Sequence, residues 1–384
     1  MQHMFAAGTH PMFPDALHDE QARQDFVRAM RVHVNGTVQP GLSRAYEQVA
    51  KPSFTKARGC APANRTEVRQ SMQPVPFAQM WSALMRTTQE LLFDAVGPSI
   101  ERQAPELIDR ARSYRDRNGK LGSLMLDPAL PIPRYHTAAD IHCKPGGYHS
   151  ELAPDDVSAG AEYERTLHVY MMGQLGPHND DLAKSVIAWL RREHPGFSPR
   201  RILDMGCTDG HNTLPWAEAF PDAEVHAIDV AAPVLRYAHA RAESMEAKVH
   251  FAQMNAEKTP FPDGHFDIVT SAIMLHETSN AAIRAIFRES HRLLAPGGFM
   301  LHSEARPMPG DPFNNFMQDW STHNNAEPFL GTLHDLDVVQ LVRDAGFGNR
   351  AFEMRVPSVW MPGAWDHDAK AGRRGSWYVA AGRK

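Results

Sequence analysis

The sequence predicts an α/β fold in which a doubly wound parallel sheet follows a mostly helical N-terminal region. Beyond Arg200, short apolar strands alternate with amphipathic helical stretches, which is typical of a parallel sheet covered by helices on both faces. Before about residue 165, apolar residues recur with helical spacing instead. The 384 residues, 42% of them hydrophobic and 22% charged, suit two globular domains and exclude collagen-like, coiled-coil and wholly disordered chains.

The N-terminal elements are predicted from caps and breakers. Asp15 is expected to cap a helix that runs to Val32. An apolar stripe predicts a helix over 77–96, and Gly97-Pro98 is expected to end it before another helix over 99–114. Prolines and glycines between 128 and 147 indicate irregular backbone, and a helix follows over 180–192. We therefore divide the chain into a helical region, 1–165, and an α/β domain, 166–384.

The second part supplies the sheet. Its strands are predicted over 201–205, 225–229, 249–253, 266–271, 299–304, 352–356 and 377–380. Its helices are predicted over 211–220, 233–245, 281–294 and 335–345, with Gly346 as the last C-cap.

A glycine turn after the first strand of this domain carries the strongest functional signal. Residues 202–210 read I-L-D-M-G-C-T-D-G, and Asp229 ends the next strand, 25 residues after Asp204. Such a turn brings bare backbone to the carboxyl edge of a sheet, and an acid at this spacing binds ribose hydroxyls. The pattern favours nucleoside binding over a plain tight turn. The G-x-G-x-x-G fingerprint of NAD-binding proteins is absent.

Four motifs in register extend this signal, at 204–210, 225–229, 255–267 and 293–298. With them, residues 200–304 resemble the class I S-adenosylmethionine (SAM) methyltransferases, especially the ubiquinone/menaquinone-biosynthesis branch. The resemblance implies a seven-stranded Rossmann-like sheet and SAM as the cofactor. It carries a cofactor-binding role onto Asp204, Gly206, Thr208, Gly210, Asp229, Val230, Asn255 and Ala256.

Two positions depart from the family pattern. Thr208 stands where the family has a middle glycine, and its β-branched side chain limits the loop conformation. Asn255 stands where the family usually has Asp, and its amide oxygen can still accept a hydrogen bond from the adenine amino group.

The acceptor is expected over the ends of the fourth and fifth strands. His276-Glu277 resembles the place where plant-type small-molecule O-methyltransferases keep a catalytic His followed by an acid, so His276 is predicted as general base and Glu277 as its orienting partner. A His packed against the sheet edge is the alternative. The predicted substrate pocket comprises Glu304, Arg306, Phe313, Trp320 and His323. A rim ion pair and a packed surface lid are the alternatives for these residues.

The stretch 135–151 is rich in potential metal ligands, namely His142, Cys143, His149 and Glu151. Their spacing matches no standard zinc pattern, so no metal is predicted, although binding by His142, Cys143 and His149 stays open. The stretch is expected to dock the helical region, as acceptor pocket and lid, onto the α/β domain. Tyr163 and Tyr170 are candidates to cover the cofactor.

The predicted function is methyl transfer to the oxygen or carbon of a small, mostly apolar metabolite, with the acceptor left open. A cyclase- or decarboxylase-type SAM-fold enzyme and a SAM-binding regulatory module are the alternatives. The net charge of −5 and the lack of an [N/D]-P-P-[Y/F] run at 271–274 argue against a nucleic-acid partner. Three cysteines and no signal-like or membrane-spanning apolar run predict a cytoplasmic protein, for which a homodimer is one possible assembly.

Overall fold

The computed structural model describes residues 8–171, 173–304, 310–360 and 375–384. Eight strands form one sheet in the order β1-β4-β3-β2-β5-β6-β8-β7. The strands are β1 (Ser123–Met125), β2 (Arg201–Met205), β3 (Glu224–Asp229), β4 (His250–Gln253), β5 (Phe266–Ala272), β6 (Leu294–Glu304), β7 (Ala351–Pro357) and β8 (Ser376–Arg383). All neighbours pair in parallel except β8, which is antiparallel to β6 and β7. The doubly wound α/β fold is confirmed.

The sheet has one strand more than the seven that the family resemblance implies. β1 comes from the N-terminal region and pairs with β4, where Leu124 lies opposite Phe251. Three residues are too few to show a period of two, so no pattern in the sequence predicted this strand.

Fifteen α-helices occupy the described residues. They are α1 (His18–His33), α2 (Gly41–Ala45), α3 (Lys51–Arg58), α4 (Arg65–Met72), α5 (Pro76–Asp116), α6 (Arg134–Thr137), α7 (Ser158–Tyr170), α8 (Asp181–Glu193), α9 (Leu214–Ala219), α10 (Ala232–Ser244), α11 (Asn280–Leu293), α12 (Pro312–Gln318), α13 (Trp320–Asn324), α14 (Leu330–His334) and α15 (Val338–Val342). Short turns of π-helix and 3₁₀-helix adjoin or link these helices. The π-helical turns are at 34–38, 46–50 and 343–347, and the 3₁₀ turns are at 141–143, 275–277 and 348–350.

The predicted helix break at Gly97-Pro98 is wrong, because α5 spans 41 residues and continues through this pair. A proline inside a helix removes one hydrogen bond and costs about 3 kcal/mol. Val96 and Ile100 on either side are fully buried against α7 and α10, with Leu107 further along. Burial of such side chains gains about 1.5–3 kcal/mol each, which outweighs the break.

Several predicted helix starts also move. Asp15 does not cap α1, which begins at His18; the Glu20 carboxylate accepts from the Leu17 N–H at 2.8 Å instead. Helix α9 begins at Leu214 rather than 211, because the glycine turn extends further. The last predicted helix begins at Val338, where the Asp337 side chain caps it by accepting from a backbone N–H.

A buried ion-pair cluster fastens the N-terminal region to the α/β domain. The Glu164 carboxylate on α7 lies 2.9 Å from the Arg241 guanidinium on α10 and accepts from the Tyr237 hydroxyl at 2.6 Å. His10 lies 2.9 Å from the same carboxylate. Helix α7 therefore crosses the predicted boundary at residue 165, which stays a prediction. The fold joins the two parts through α7 and β1.

No helix in the described part of the chain has both the length and the apolar character that crossing a membrane requires.

Candidate functional site

A cavity lies at the carboxyl ends of β2 to β5, where parallel strands of an open α/β sheet place ligands. Its wall is formed by Tyr135, His136, Ile141, His142, Tyr148, Tyr163, Gly206, Thr208, Asp229, Val230, Val234, Met254, Asn255, Ala256, Ala272, Ile273, Met274, Glu277, Thr278 and Ile286. Six of the eight predicted cofactor residues are among them. One end of the wall is built from the glycine turn and the ends of β3 and β4, and the other from the residues that follow β5.

The glycine turn follows β2 directly. Gly206 has φ 70°, and a Cβ there would lie 2.6 Å from the Met274 sulfur, so only glycine fits. Thr208 adopts φ 45°, a left-handed conformation that costs a β-branched residue on the order of 1–2 kcal/mol. The turn thus presents bare backbone to the cavity, and it holds strain at the position where the family has glycine.

Asp229 links this turn to the next strand. Its two carboxylate oxygens accept from the backbone N–H groups of Thr208, at 3.1 Å, and Ala231, at 2.9 Å. Only 8% of the residue is exposed, and burial raises the pKa of its carboxyl group above the usual value, against the effect of these N–H donors. Each oxygen keeps a second lone pair, so the carboxylate can also receive hydroxyl donors from a ligand.

Asp204 and Gly210, by contrast, lie behind the cavity wall. The Asp204 carboxylate accepts from the Thr213 hydroxyl at 2.5 Å, and burial raises its pKa to about 7. Gly210 has φ 78° and packs against Leu214. Both residues support the turn from behind, so the cofactor contact predicted for them stays a prediction.

The residues that follow β4 contribute both polar and apolar surface to the cavity wall. Asn255 accepts from the Glu257 N–H at 2.9 Å through its side-chain oxygen, which fixes the orientation of the amide. Val230, Met254 and Ala256 add apolar surface beside it. An apolar slot flanked by one amide and one carboxylate matches the hydrogen-bonding groups of a nucleoside.

The stretch 135–151 lines the cavity with five side chains, namely those of Tyr135, His136, Ile141, His142 and Tyr148. Tyr163 of α7 joins them, with its ring 5.6 Å from that of Tyr148. Tyr170 is not part of the wall; it packs under the Arg31 guanidinium at 4.2 Å. The helical region therefore provides much of the cavity wall.

His276, predicted as the general base, is absent from the cavity wall. Its ring is buried with Nδ1 2.7 Å from a Glu304 oxygen and Nε2 3.2 Å from a Glu277 oxygen. Burial opposes its charged form, but these carboxylates raise the pKa of His276 well above its usual value. Because His276 does not line the cavity and its Nδ1 atom is engaged by Glu304, it is not placed to receive a proton from an acceptor, and the geometry does not support the predicted role.

The predicted partner Glu277 does line the cavity, together with His142. The His142 Nε2 atom lies 3.0 Å from Glu277 Oε1, and its Nδ1 atom lies 2.8 Å from the Tyr148 hydroxyl. Burial opposes ionisation of Glu277, but the two imidazoles lower the pKa of its carboxyl group. Burial likewise opposes the charged form of His142, whose pKa the Glu277 carboxylate nevertheless raises.

Most residues of the predicted substrate pocket lie away from the cavity. Phe313 stacks on Tyr46 at 4.9 Å and Trp320 contacts Trp81 at 5.6 Å, both in the N-terminal core. The His323 ring is half exposed, with Nε2 3.7 Å from the Asp319 carboxylate.

Residues from 312 to 334 form α12, α13 and α14, and apolar residues of α12 and α13 cover α4 and α5. Glu304 is buried behind His276, where it also accepts from the Leu275 N–H at 2.6 Å. Arg306 lies outside the described residues.

The other potential metal ligands of the 135–151 stretch do not meet. Cys143 is half-buried, the His149 ring packs on His136 at 5.6 Å, and Glu151 pairs with Arg236 at 2.8 Å. Only His142 of that set turns toward His276 and Glu277.

Sequence reasoning missed Glu327, which lies behind the cavity wall with Oε1 3.7 Å from His142 Nε2. It also missed the apolar wall that follows β5, where Ile273 adopts φ 56° and Met274 packs on Gly206. The residues 273–274 directly follow a strand end, which is the signal that could have identified them.

Comparison with known proteins finds methyltransferases that are similar to the α/β part of the chain. A family model described as a methyltransferase domain matches residues 202–298. The demethylmenaquinone methyltransferase of Thermus thermophilus is 35% identical over 136 residues, which cover 35% of this chain and 60% of that enzyme. The ubiquinone/menaquinone biosynthesis C-methyltransferase of Vibrio parahaemolyticus is 27% identical, over 40% of this chain and 66% of its own length.

The malonyl-[acyl-carrier protein] O-methyltransferase of Legionella pneumophila is 28% identical, over 35% of this chain and 45% of that enzyme. The chain thus spans about half to two thirds of the length of these three relatives. Among solved structures, a SAM-dependent methyltransferase from Aquifex aeolicus aligns with 54% of this chain and 93% of its own, at 19% identity and a TM-score of 0.37.

Proposed function

We propose that this chain, which contains a class I SAM-dependent methyltransferase domain, transfers the methyl group of SAM to a small organic acceptor. One observation carries the proposal. A single cavity at the carboxyl edge of the sheet holds both a nucleoside-type end, around Asp229, and a polar end, around Glu277. Transfer requires the donor and the acceptor to meet in this way.

The nucleoside-type end fits SAM by its shape and its donor set. Gly206 presents backbone to the cavity, and the absence of a Cβ lets Met274 pack directly against it. Asp229 offers its carboxylate to the ribose hydroxyls, and Asn255 offers an amide to the adenine ring. Tyr163 closes the cavity from the side of the helical region.

SAM supplies a methyl group that its sulfonium already activates. The protein must therefore align the acceptor with that methyl group, exclude water, and assist loss of a proton where the acceptor carries one. His142, Tyr148 and Glu277 stand together at the polar end, so we assign binding of the acceptor's nucleophilic group to them. His276 becomes a positioning residue, held by Glu304 and contacting Glu277.

The neighbouring wall indicates the class of acceptor. Ile141, Ile273, Met274 and Ile286 surround the polar end with apolar surface. A small, mostly apolar metabolite with one oxygen or enolate-like carbon nucleophile fits such a wall. Two relatives are named demethylmenaquinone methyltransferase and malonyl-[acyl-carrier protein] O-methyltransferase. The quinone in the first name supports an apolar acceptor, and the O-methylation in the second supports an oxygen nucleophile.

The test has two parts. Isothermal titration of the purified full chain with SAM and with its demethylated product measures cofactor binding. Methyl-labelled SAM, incubated with the protein and fractionated small-molecule extracts, then reports transfer by labelled product. SAM binding without transfer to any fraction would contradict the methyltransferase proposal and favour a cyclase- or decarboxylase-type reaction. Absence of SAM binding would refute the proposal outright.

A variant pair tests the polar end. Glu277→Gln keeps the shape of the side chain and removes its charge, so turnover should fall by about 10²–10⁴-fold. SAM affinity should change little, because Asp229 and the glycine turn lie at the other end of the cavity. Glu224→Gln, whose side chain is 47% exposed at the far end of β3, is the matched control and should keep turnover near the wild-type value. Equal turnover in Glu277→Gln and wild type would exclude the assigned role.

A further inference from the structure

The side chain of His142 meets those of His276 and Glu277 at the polar end of the cavity, and Glu327 lies next to His142. The Nε2 atoms of His142 and His276 lie 3.0 Å and 3.2 Å from the same Glu277 oxygen. The Glu327 Oε1 atom lies 3.7 Å from His142 Nε2. Two imidazole nitrogens and the Glu277 carboxylate thus face one small volume, and Glu327 is a further carboxylate beside His142.

The contacts within this cluster are short, yet they are not hydrogen bonds. Both Glu277 oxygens are shielded from solvent and have no hydrogen-bond donor, although two ring nitrogens lie within about 3 Å. The nitrogens therefore do not point at the carboxylate itself. A buried carboxylate without a donor is costly, so this arrangement calls for a cation.

The separations match those of ligands around one metal ion. Zinc–nitrogen and zinc–oxygen bonds of about 2.0–2.1 Å place tetrahedral ligand atoms ~3.3 Å apart. The ligand atoms of His142, His276 and Glu277 all lie within 4.8 Å of one another, and the two measured nitrogen–oxygen distances are close to that spacing.

The outer contacts of both histidines are also those of metal ligands. The His276 Nδ1 atom contacts the Glu304 carboxylate at 2.7 Å, and the His142 Nδ1 atom contacts the Tyr148 hydroxyl at 2.8 Å. The Glu304 carboxylate accepts from Nδ1–H of His276 and so leaves Nε2 as an electron-pair donor, and the Tyr148 hydroxyl orients the His142 ring. Asn325 in turn donates to the Glu327 carboxylate and orients it.

We propose that His142, His276 and Glu277 bind a divalent transition metal ion at the polar end of the cavity, with the Glu327 carboxylate next to the site. Mixed imidazole and carboxylate ligands favour Zn²⁺ or Fe²⁺ over Mg²⁺ or Ca²⁺, which prefer oxygen alone. Three carboxylates, counting Glu304 and Glu327, surround two imidazoles here, so a dication would offset two of their three negative charges.

Such an ion would lie beside the acceptor's nucleophilic group. A bound oxygen atom of the acceptor would lose its proton more readily, because a metal ion stabilises the anion. The site itself does not depend on methyl transfer, since metal binding is measured without SAM or acceptor. Failure of the proposed function and failure of this site are therefore separate outcomes.

The experiment measures metal binding to the full chain. After removal of metals with a chelator, the protein is titrated with Zn²⁺, and with Fe²⁺ under anaerobic conditions, and bound metal is counted by mass spectrometry. One tightly bound ion per chain is expected. Because the chain has 21 histidines, weak surface binding must be separated from the site by variants.

Glu277→Gln and His142→Ala should each weaken the tight site at least tenfold, with unchanged circular dichroism. The double variant Cys143→Ser/His149→Ala is the matched control, because both residues are neighbours that point elsewhere, and it should keep the ion. Co²⁺ gives an independent readout through a visible absorption band that Glu277→Gln should alter. No tight ion in the wild-type protein would overturn the proposal, as would an ion kept by Glu277→Gln and His142→Ala or lost from the control.

Discussion

Replacement of Asp229 by alanine tests the nucleoside-type end of the cavity. The carboxylate terminates β3, faces the cavity and already accepts two backbone N–H groups, from Thr208 and Ala231. One lone pair on each oxygen remains for a ribose hydroxyl. Asp229→Ala removes both of these ligand contacts and leaves the two N–H groups of the loop without their acceptor.

The magnitude follows from the charge of the acceptor. A hydrogen bond to a charged group contributes about 1.5–3 kcal/mol, so two of them amount to about 3–6 kcal/mol. Water that enters the vacated space recovers part of this energy. We therefore expect the Kd for SAM to rise at least tenfold, which corresponds to about 1.4 kcal/mol, and as much as ~100-fold.

Isothermal titration with SAM measures the effect, and circular dichroism with thermal unfolding confirms the fold. Glu224→Ala is the matched control, because Glu224 begins the same strand and its side chain is 47% exposed at the far end. Its SAM affinity should equal that of the wild type. A folded Asp229→Ala protein with unchanged affinity would refute the placement of the ribose.

Three further perturbations test the surroundings of the site. Burial raises the pKa of Asp204 to about 7, above its value in the unfolded chain, so its protonated form stabilises the fold at low pH and this stabilisation is lost as pH rises toward 7. The free energy of unfolding of Asp204→Asn, measured with urea, should therefore rise relative to that of the wild type by roughly 1.4 kcal/mol per pH unit between about pH 4 and 7. A difference that does not change with pH would contradict the raised pKa of Asp204. Thr208→Gly should raise the unfolding free energy by about 1 kcal/mol by relieving its left-handed backbone, and a loss of stability in urea unfolding would show that the threonine side chain contributes more than the strain costs. Glu164→Gln should cost about 3–5 kcal/mol in the same assay because it leaves Arg241 buried without its counterion, whereas Glu90→Gln in an exposed pair should stay within about 1 kcal/mol; similar losses in both would refute the anchoring role.

The positions of the α/β strands along the chain and the glycine turn were predictable because their sequence signals are local. An apolar strand such as β2 carries its own pattern, and parallel strands bring their carboxyl ends to one edge whatever the loops between them do. Gly206 and Asp229 are therefore located by counting along the chain. The six predicted cofactor residues that line the cavity all lie in or directly after these strands.

The helical region shows the opposite case. Apolar side chains such as Phe313 and Trp320 are typical of a pocket wall, but they are equally typical of a helix face that packs on other helices. Which surface it covers depends on the position of α4 and α5. The continuation of α5 through Pro98 has the same origin, since burial on its neighbours decided against the local breaker.

The sequence by itself determined the α/β class, the nucleoside-type end of the cavity and the methyltransferase resemblance. Only the tertiary structure decided what surrounds His276. Glu304 is 28 residues away along the chain and His142 comes from a separate region, so no spacing rule could bring them together. Chemistry at the polar end depends on distances of about 3 Å between such side chains. Packing of β1, α7 and the 135–151 stretch against the sheet sets those distances, because long-range contacts fix positions that local sequence leaves free.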